Sequence, residues 1–460
     1  MTSTRRDFLK KSAATGALVS APLIWTPDTA FGRNLNSKPT VASIGVGGSR
    51  GRYNQGGHIA RKASKLGKTI AVCDVDSVHT AEFNKDFGGK LNEYTDYRVL
   101  LEKEKPDVVT IGTPDHWHVP IAIAALRAGC DVYCEKPLTL TIQEGIDVRN
   151  VVKETGRVFQ VGTQQRSENE NRFLKAVAIV QSGRLGKNVN AYVAIGGAPS
   201  EGPFESTEVP EGLDWDFWVG PAPKADYSEE RRKQFRWWFE YSGGKMTDWG
   251  AHHIDIAQWA LGYDKSGPVE VVGKGTFPPI VPDDFNWDAF LNGDAKLPSG
   301  FNTAVTFDID LKFKNGSVLN VNDVYKRPDT NIEFGNGILF EGENGRIFVN
   351  RGKLEGKLID ELSESDHEEI NALVAELYKG KTPGNHMQNF FECLEDRQQP
   401  ISDVSTHHRT MTSCHLCNIS VMLGRDLKWD PKAEKFVGDD QAQALTSRRS
   451  RDSYLVASGT

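Results

Sequence analysis

Cysteine is scarce in this chain, with six residues in 460. Cys73, Cys130, Cys134, Cys393, Cys414 and Cys417 lie scattered through apolar segments. That excludes a dense disulfide framework and leaves them as small core residues. An excess of either charge is also missing, since 55 Lys and Arg stand against 62 Asp and Glu for a net charge of -7. No general attraction to a phosphate backbone follows, which argues against nucleic acid as a partner. The short basic cluster Arg448, Arg449 and Arg451 sits in a polar stretch and reads as a solvated tail. The apolar stretch from about Ser12 to Ile24 is too short to span a bilayer comfortably as a mature helix, and no internal repeat is visible.

What remains is an ordinary globular composition, 38% hydrophobic and 25% charged, in a chain long enough for two cores. The first 32 residues read as a processing segment rather than fold. Thr4-Arg5-Arg6-Asp7-Phe8-Leu9-Lys10 fits the twin-arginine export pattern, and Ala30-Phe31-Gly32 offers small residues for cleavage. The expectation is a mature chain beginning near Arg33, periplasmic or secreted, without a membrane anchor after cleavage. The twin-arginine export machinery is then a partner, and a protein folded before crossing carries its cofactor inside.

From Thr40 onward, short β-branched runs alternate with amphipathic stretches. Val41 to Val46, Thr69 to Val75, Asp107 to Gly112, Asp131 to Cys134 and Val158 to Gly162 read as strands. This rhythm predicts an α/β fold, with an N-terminal doubly wound parallel sheet over residues 38–165 and a ligand crevice at its carboxyl ends. After about Ser167 the pattern changes to long alternating strands, with Asn315-Gly316 and Asn344-Gly345 as hairpin turns. Residues 166–430 are therefore expected to form an α+β domain with a large, mostly antiparallel open sheet, followed by a tail over 431–460. Within that second domain, His386 to Leu394 and Ser405 to Leu423 read as helices.

The motifs concentrate at the predicted crevice. Gly45-Val46-Gly47-Gly48-Ser49-Arg50-Gly51 follows the first strand and opens a helix, as a dinucleotide-binding turn does. The third glycine of the usual spacing falls at Arg50 and glycine returns at Gly51, so Arg50 itself becomes a phosphate candidate. Asp74 ends the second strand, where a carboxylate accepts ribose hydroxyls and repels a 2'-phosphate, favouring NAD over NADP; Asp76 and Ser77 are better placed as helix caps. Thr113, Pro114 and His118 leave the next strand at the same crevice and are expected along the nucleotide.

Glu135-Lys136-Pro137 closes a further strand and delivers a carboxylate-flanked lysine where it touches cofactor and substrate at once. In Gly243-Gly244-Lys245-Met246-Thr247-Asp248-Trp249-Gly250-Ala251-His252-His253-Ile254-Asp255, the spacings place Asp248, His252 and Asp255 on one helical face and rotate His253 away. His252 is a candidate general base, Asp248 a carboxylate that orients its ring or a substrate hydroxyl, and Lys136 a cation for a developing alkoxide. A satisfied structural Asp-His pair is the competing reading. A metal site from Asp248, His252, Asp255 or His116 is chemically possible, but the adjacent lysine ammonium argues against one.

On these residues the chain resembles the Gfo/Idh/MocA oxidoreductases across nearly its whole expected mature length. The resemblance implies a Rossmann domain, a C-terminal α/β domain with an open sheet, homo-oligomers, and hydride transfer at sugar or cyclitol hydroxyls. It implies that Lys136 is the catalytic lysine, that Asp248 and His252 form the substrate pair, and that Pro137 is cis.

Six of the ten tryptophans fall between Trp215 and Trp259, most of them expected in packing. Arg166, Arg236 and Trp238 are the further substrate-site candidates. Cys414-His415-Leu416-Cys417 invites a zinc or redox reading, but its helical pattern and the lack of a second ligand pair favour inward-packed cysteines. The leading expectation is an exported enzyme with tightly bound NAD acting on a carbohydrate hydroxyl. A redox-neutral, NAD-assisted glycosidase or lyase and a non-catalytic nucleotide-binding protein are the alternatives.

Overall fold

β-Branched runs without polar interruption build the first sheet. Its strands are β1 (Thr40–Ile44), β2 (Lys68–Cys73), β3 (Asn92–Tyr94), β4 (Val108–Ile111), β5 (Asp131–Cys134) and β6 (Phe159–Val161). They pair in the order β3-β2-β1-β4-β5-β6, every pair parallel. The order reverses between β1 and β4, which opens a crevice at their carboxyl ends. β4 and β5 are buried along their whole length, as strands covered by helices on both faces must be. β3 is the strand that periodicity does not reveal, being three residues long and largely exposed.

The computed structural model describes residues 38–328 and 330–451. The expected export signal, residues 1–32, lies outside them, as does the end of the chain from residue 452.

The second sheet is mixed and larger. It comprises β7 (Asn190–Ala194), β8 (Glu270–Thr276), β9 (Thr306–Lys312) and β10 (Val318–Asn322), with a two-stranded ribbon, β11 (Tyr325–Lys326) and β12 (Glu333–Phe334), set apart from it. β13 (Gly337–Gly342), β14 (Gly345–Val349), β15 (Leu354–Glu355), β16 (Leu427–Asp430) and β17 (Lys435–Phe436) complete it. The order is β15-β14-β13-β7-β10-β9-β8-β16-β17, and the β7 to β10 pair alone is parallel.

Both expected hairpins form, with adjusted turns. The first has a three-residue loop, because Phe313 N donates to Ser317 O at 2.9 Å and Gly316 takes φ +91°. The second turns on Glu343-Asn344, one residue earlier than the Asn-Gly dipeptide, because Gly342 pairs with Gly345.

Helices tie the two sheets together. The helix Val404–Leu423 packs on the helix Gly250–Ala260, on β8, and on the first half's helix Ile142–Thr155. Thr141 and Glu144 form a capping box on that last helix, and Gly156 ends it with φ +63°. All six cysteines are buried and unpaired, Cys414 and Cys417 among them. The basic cluster is not the solvated tail expected of it. Arg448 donates to the Phe239 carbonyl, Arg449 pairs with Asp294 at 2.7 Å, and Arg451 pairs with Asp216 at 2.7 Å.

The closest backbone approach in the first half joins helix to sheet. A Cβ on Gly56 would sit 1.8 Å from the Gly45 carbonyl oxygen, and one on Gly112 would sit 2.3 Å from the Gly56 Cα. Neither contact has a flexible side chain to move aside. Gly56→Ala should therefore cost about 1–3 kcal/mol by overpacking and weaken nucleotide binding together with stability, measured by thermal melting and NAD titration.

Candidate active site

The glycine loop begins where β1 ends. Gly45 and Gly47 have φ of +75° and +61°, a region other residues rarely adopt, and a Cβ on Gly45 would lie 2.5 Å from Thr113 Cγ2. Asp74 Oδ2 accepts from the Gly47 amide at 3.0 Å and Oδ1 from the Asp76 amide at 3.0 Å, which fixes the loop to the end of β2. Asp76 caps the next helix by accepting from Val78 N at 3.0 Å.

The helix after the loop starts at Gln55, not directly after Gly51. The glycine that permits close helix-to-strand packing is Gly56, which fixed-spacing reading of the motif missed. Arg50 is also displaced from its candidate role, because its guanidinium donates to Glu211 O at 2.8 Å and lies 3.6 Å from Asp76. Gly48 faces the side chains of His79 and Glu82.

A cleft runs from this loop along the switch point of the parallel sheet. Gly45, Gly47, Gly51, Asp74, Thr113, Pro114, His118, Glu135 and Lys136 all line it. His118 sits between two carbonyls, Pro137 O at 2.7 Å and Thr113 O at 2.9 Å, so its ring braces the cleft wall. Burial pushes its pKa down to about 4. Glu135 is buried and accepts from Gln55 at 3.1 Å and from Gln164 at 2.9 Å, and burial raises its pKa.

The segment between β7 and the helix Gly244–Asp248 covers one side of the cleft. Its attachments were not legible in sequence because each partner is more than a hundred residues away. Arg232 meets Asp76 at 2.5 Å with both side chains buried, Arg52 donates to Gln234, and Ser77 N donates to Gly212 O at 2.9 Å. Arg236 lies 3.8 Å from the centroid of Tyr53.

The reacting end gathers around one ion pair. Lys136, following β5, places Nζ 2.6 Å from Asp248 Oδ1 and 3.2 Å from Asp248 O. The Lys136-Pro137 peptide is cis. Burial alone would raise the Asp248 pKa, but the Lys136 ammonium and the Arg236 guanidinium, 3.8 Å away, outweigh it and hold it at about 2. Asp248 ends one short helix and His252 lies in the next, Gly250–Ala260, after a break at Trp249.

Asp248 is engaged by Lys136 rather than by the imidazole. The His252 Nδ1 is buried without a partner among the described residues, and burial, Lys136 and Arg351 drive the ring pKa well below its usual value. His252 is thus neutral, not a base poised near pH 7. His253 hydrogen-bonds Asn336 at 3.1 Å, in keeping with a structural place.

Two substrate candidates are placed elsewhere. Arg166 is fully buried, paired with Asp255 at 2.6 Å, 3.3 Å from Asp264, and stacked on Trp259, so its donors are spent inside the second half. Trp238 is fully buried in an aromatic cluster with Phe204 and Phe301. Asp248 and Asp255, two residues of the metal alternative, each pair with a cationic side chain. Arg351, absent from the sequence-based candidates, reaches the site from beyond β14. Its Nε donates to the Gln165 amide oxygen at 3.1 Å, while the Gln165 nitrogen donates to His252 O at 3.1 Å.

A parallel sheet with a glycine turn, an acidic residue closing β2 and a lysine-carboxylate pair in the cleft wall defines a nucleotide-dependent oxidoreductase class. The chain belongs to the Gfo/Idh/MocA family. Residues 40–163 match its NAD-binding Rossmann-fold model, and residues 199–276 and 303–456 match its C-terminal alpha/beta domain model.

Among curated relatives, D-glucoside 3-dehydrogenase of Escherichia coli is 24% identical over 238 residues, 50% of this chain and 56% of that protein. An alpha-N-acetylgalactosaminidase of Tannerella forsythia is 29% identical over 181 residues, 34% of this chain and 37% of that protein. The chain thus spans about half the length of such relatives or less. The WlbA dehydrogenase from Chromobacterium violaceum, solved with NADH and UDP-GlcNAcA, superposes with a TM-score of 0.61 at 17% identity, covering 86% of this chain and 97% of that one. That likeness establishes the shared fold.

Asp115, also in the cleft, accepts from Ser242 Oγ, and burial raises its pKa to about 7. An unfolded chain loses this proton near pH 4, so the folded protein binds more protons between pH 4 and pH 7 and loses stability as pH rises through that window. Asp115→Asn should flatten this component, raising the melting temperature at pH 8 relative to pH 4 compared with the parent protein.

Proposed function

We propose that this protein is a NAD-dependent oxidoreductase that moves hydride between nicotinamide and a hydroxyl or ketone carbon of a sugar, glycoside or cyclitol. The observation that carries the reading is the Lys136 ammonium held 2.6 Å from Asp248 in the wall of the cleft that opens from the glycine loop. The cleft suits NAD on its own geometry: the left-handed glycines Gly45 and Gly47 leave backbone room for a pyrophosphate, and Asp74, following β2, lines the same cleft. That carboxylate favours NAD over NADP. When bound, NAD supplies the hydride acceptor.

The chain's own residues do the rest. Lys136 donates to the substrate oxygen and stabilises its negative charge as the hydroxyl proton leaves. Asp248 holds the ammonium in place. His252, neutral in the free site, accepts the proton, and developing negative charge on the substrate favours that acceptance.

The twin-arginine sequence supports a place of action in the periplasm or outside the cell, with NAD retained rather than exchanged and the export machinery as a partner. Family membership supports a homo-oligomer. A redox-neutral glycosidase is the second reading, favoured by the Tannerella relative, and it would release free sugar without net NADH.

Two measurements test this function. Purified protein should carry or bind NAD that becomes reduced on adding a glycoside or cyclitol, and Lys136→Gln should lower that rate by about 100- to 10,000-fold while NAD binding persists. Unchanged turnover in that variant would refute the assigned role. Export should require both arginines, so Arg5→Lys combined with Arg6→Lys should leave the protein in the cytoplasm of its host by fractionation.

A further inference from the structure

The reacting end of the cleft holds more positive charge than its carboxylates neutralise. Asp248 already faces Lys136 at 2.6 Å and Arg236 at 3.8 Å. Lys245 lies one turn before Asp248 on the same short helix and is half-buried, with its ammonium 5.8 Å from the Trp237 ring and 3.3 Å from where a Cβ on Gly196 would sit. It makes no hydrogen bond or ion pair among the described residues. Arg351 is exposed, 4.6 Å from the centroid of Trp249, and feels the Asp248 charge.

The other acids nearby do not balance these charges. Glu168 is paired with Lys62 at 2.9 Å, Glu135 is buried with Gln55 and Gln164, and Asp115 is buried with Ser242. Burial raises the pKa of both Glu135 and Asp115. Burial also lowers the pKa of Lys245, with Arg236 and Lys136 acting in the same sense and Asp248 opposing them. A partly buried cation without a counterion is costly, and a neutral sugar would leave that cost in place.

Resting on the dehydrogenase reading, we infer that the sugar taken by this site carries an anionic substituent, a carboxylate, sulfate or phosphate, received by Lys245, Arg236 and Arg351. The oxidised nicotinamide ring is itself cationic and reinforces the preference. The guanidinium of Arg351 supplies the planar donor pair that matches such an oxyanion.

Matched sugars separate this inference from the reading beneath it. Methyl glucoside with methyl glucuronide, and glucose with its 6-sulfate and 6-phosphate, are compared for reduction of bound NAD, with galacto and manno sets run in parallel. At least one charged member should exceed its neutral parent in kcat/KM by on the order of tenfold, the effect of one charge-assisted hydrogen bond. That advantage should shrink as ionic strength rises. The Lys245→Gln and Arg351→Gln double variant, checked for retained NAD, should bring the ratio towards one.

Neutral parents that reduce NAD as well as every charged counterpart would overturn the inference and leave the dehydrogenase reading standing. Absence of reduction by any member would overturn both. The identity of the preferred charged member distinguishes a carboxylate from a sulfate or phosphate.

Discussion

The ion pair between Lys136 and Asp248 is the contact on which the site depends, because neither half of the chain contains it alone. The parallel sheet delivers the ammonium at the end of β5, and the second half delivers the carboxylate at the end of a short helix, 112 residues later. Removing one member of a buried pair leaves an uncompensated charge, so the contact binds the halves together as firmly as it prepares the chemistry. Its geometry explains why Asp248 does not orient His252: a full positive charge at 2.6 Å outcompetes a neutral imidazole.

The surrounding links serve the same constraint. Arg232 to Asp76 fastens the covering segment to the helix after β2, and Arg166 to Asp255 fixes the helix Gly250–Ala260 on which His252 rides. The helix Val404–Leu423 adds Thr410, whose hydroxyl donates to Asp255 at 2.7 Å. Asp255 therefore has a structural place although it shares a motif with Asp248 and His252. Motif membership follows helical spacing, whereas role follows which cation arrives from elsewhere.

Much of the fold was legible because its signals are local. Apolar runs marked five of the six strands of the first sheet, and alternation marked the β9–β10 and β13–β14 hairpins. The lysine, the carboxylate and the glycines at Gly45 and Gly47 were visible because each is required by residue type at a short spacing. What failed depended on distant partners. Gly56 matters because it meets the Gly45 carbonyl and Gly112, Arg50 is drawn to Glu211, and Trp238 packs against Phe204 and Phe301 from two other segments.

The sequence alone determined the order of strands and helices, the glycine turn and the presence of an acid at the end of β2, since backbone conformation and burial pattern act over a few residues. Tertiary structure decided the charge of the site. A carboxylate or imidazole takes its ionisation from burial and from the nearest opposite charge. Lys136, Arg236 and Arg351 reach Asp248 and its helix neighbour Lys245 from separate stretches of chain, and their convergence exists only in the folded protein.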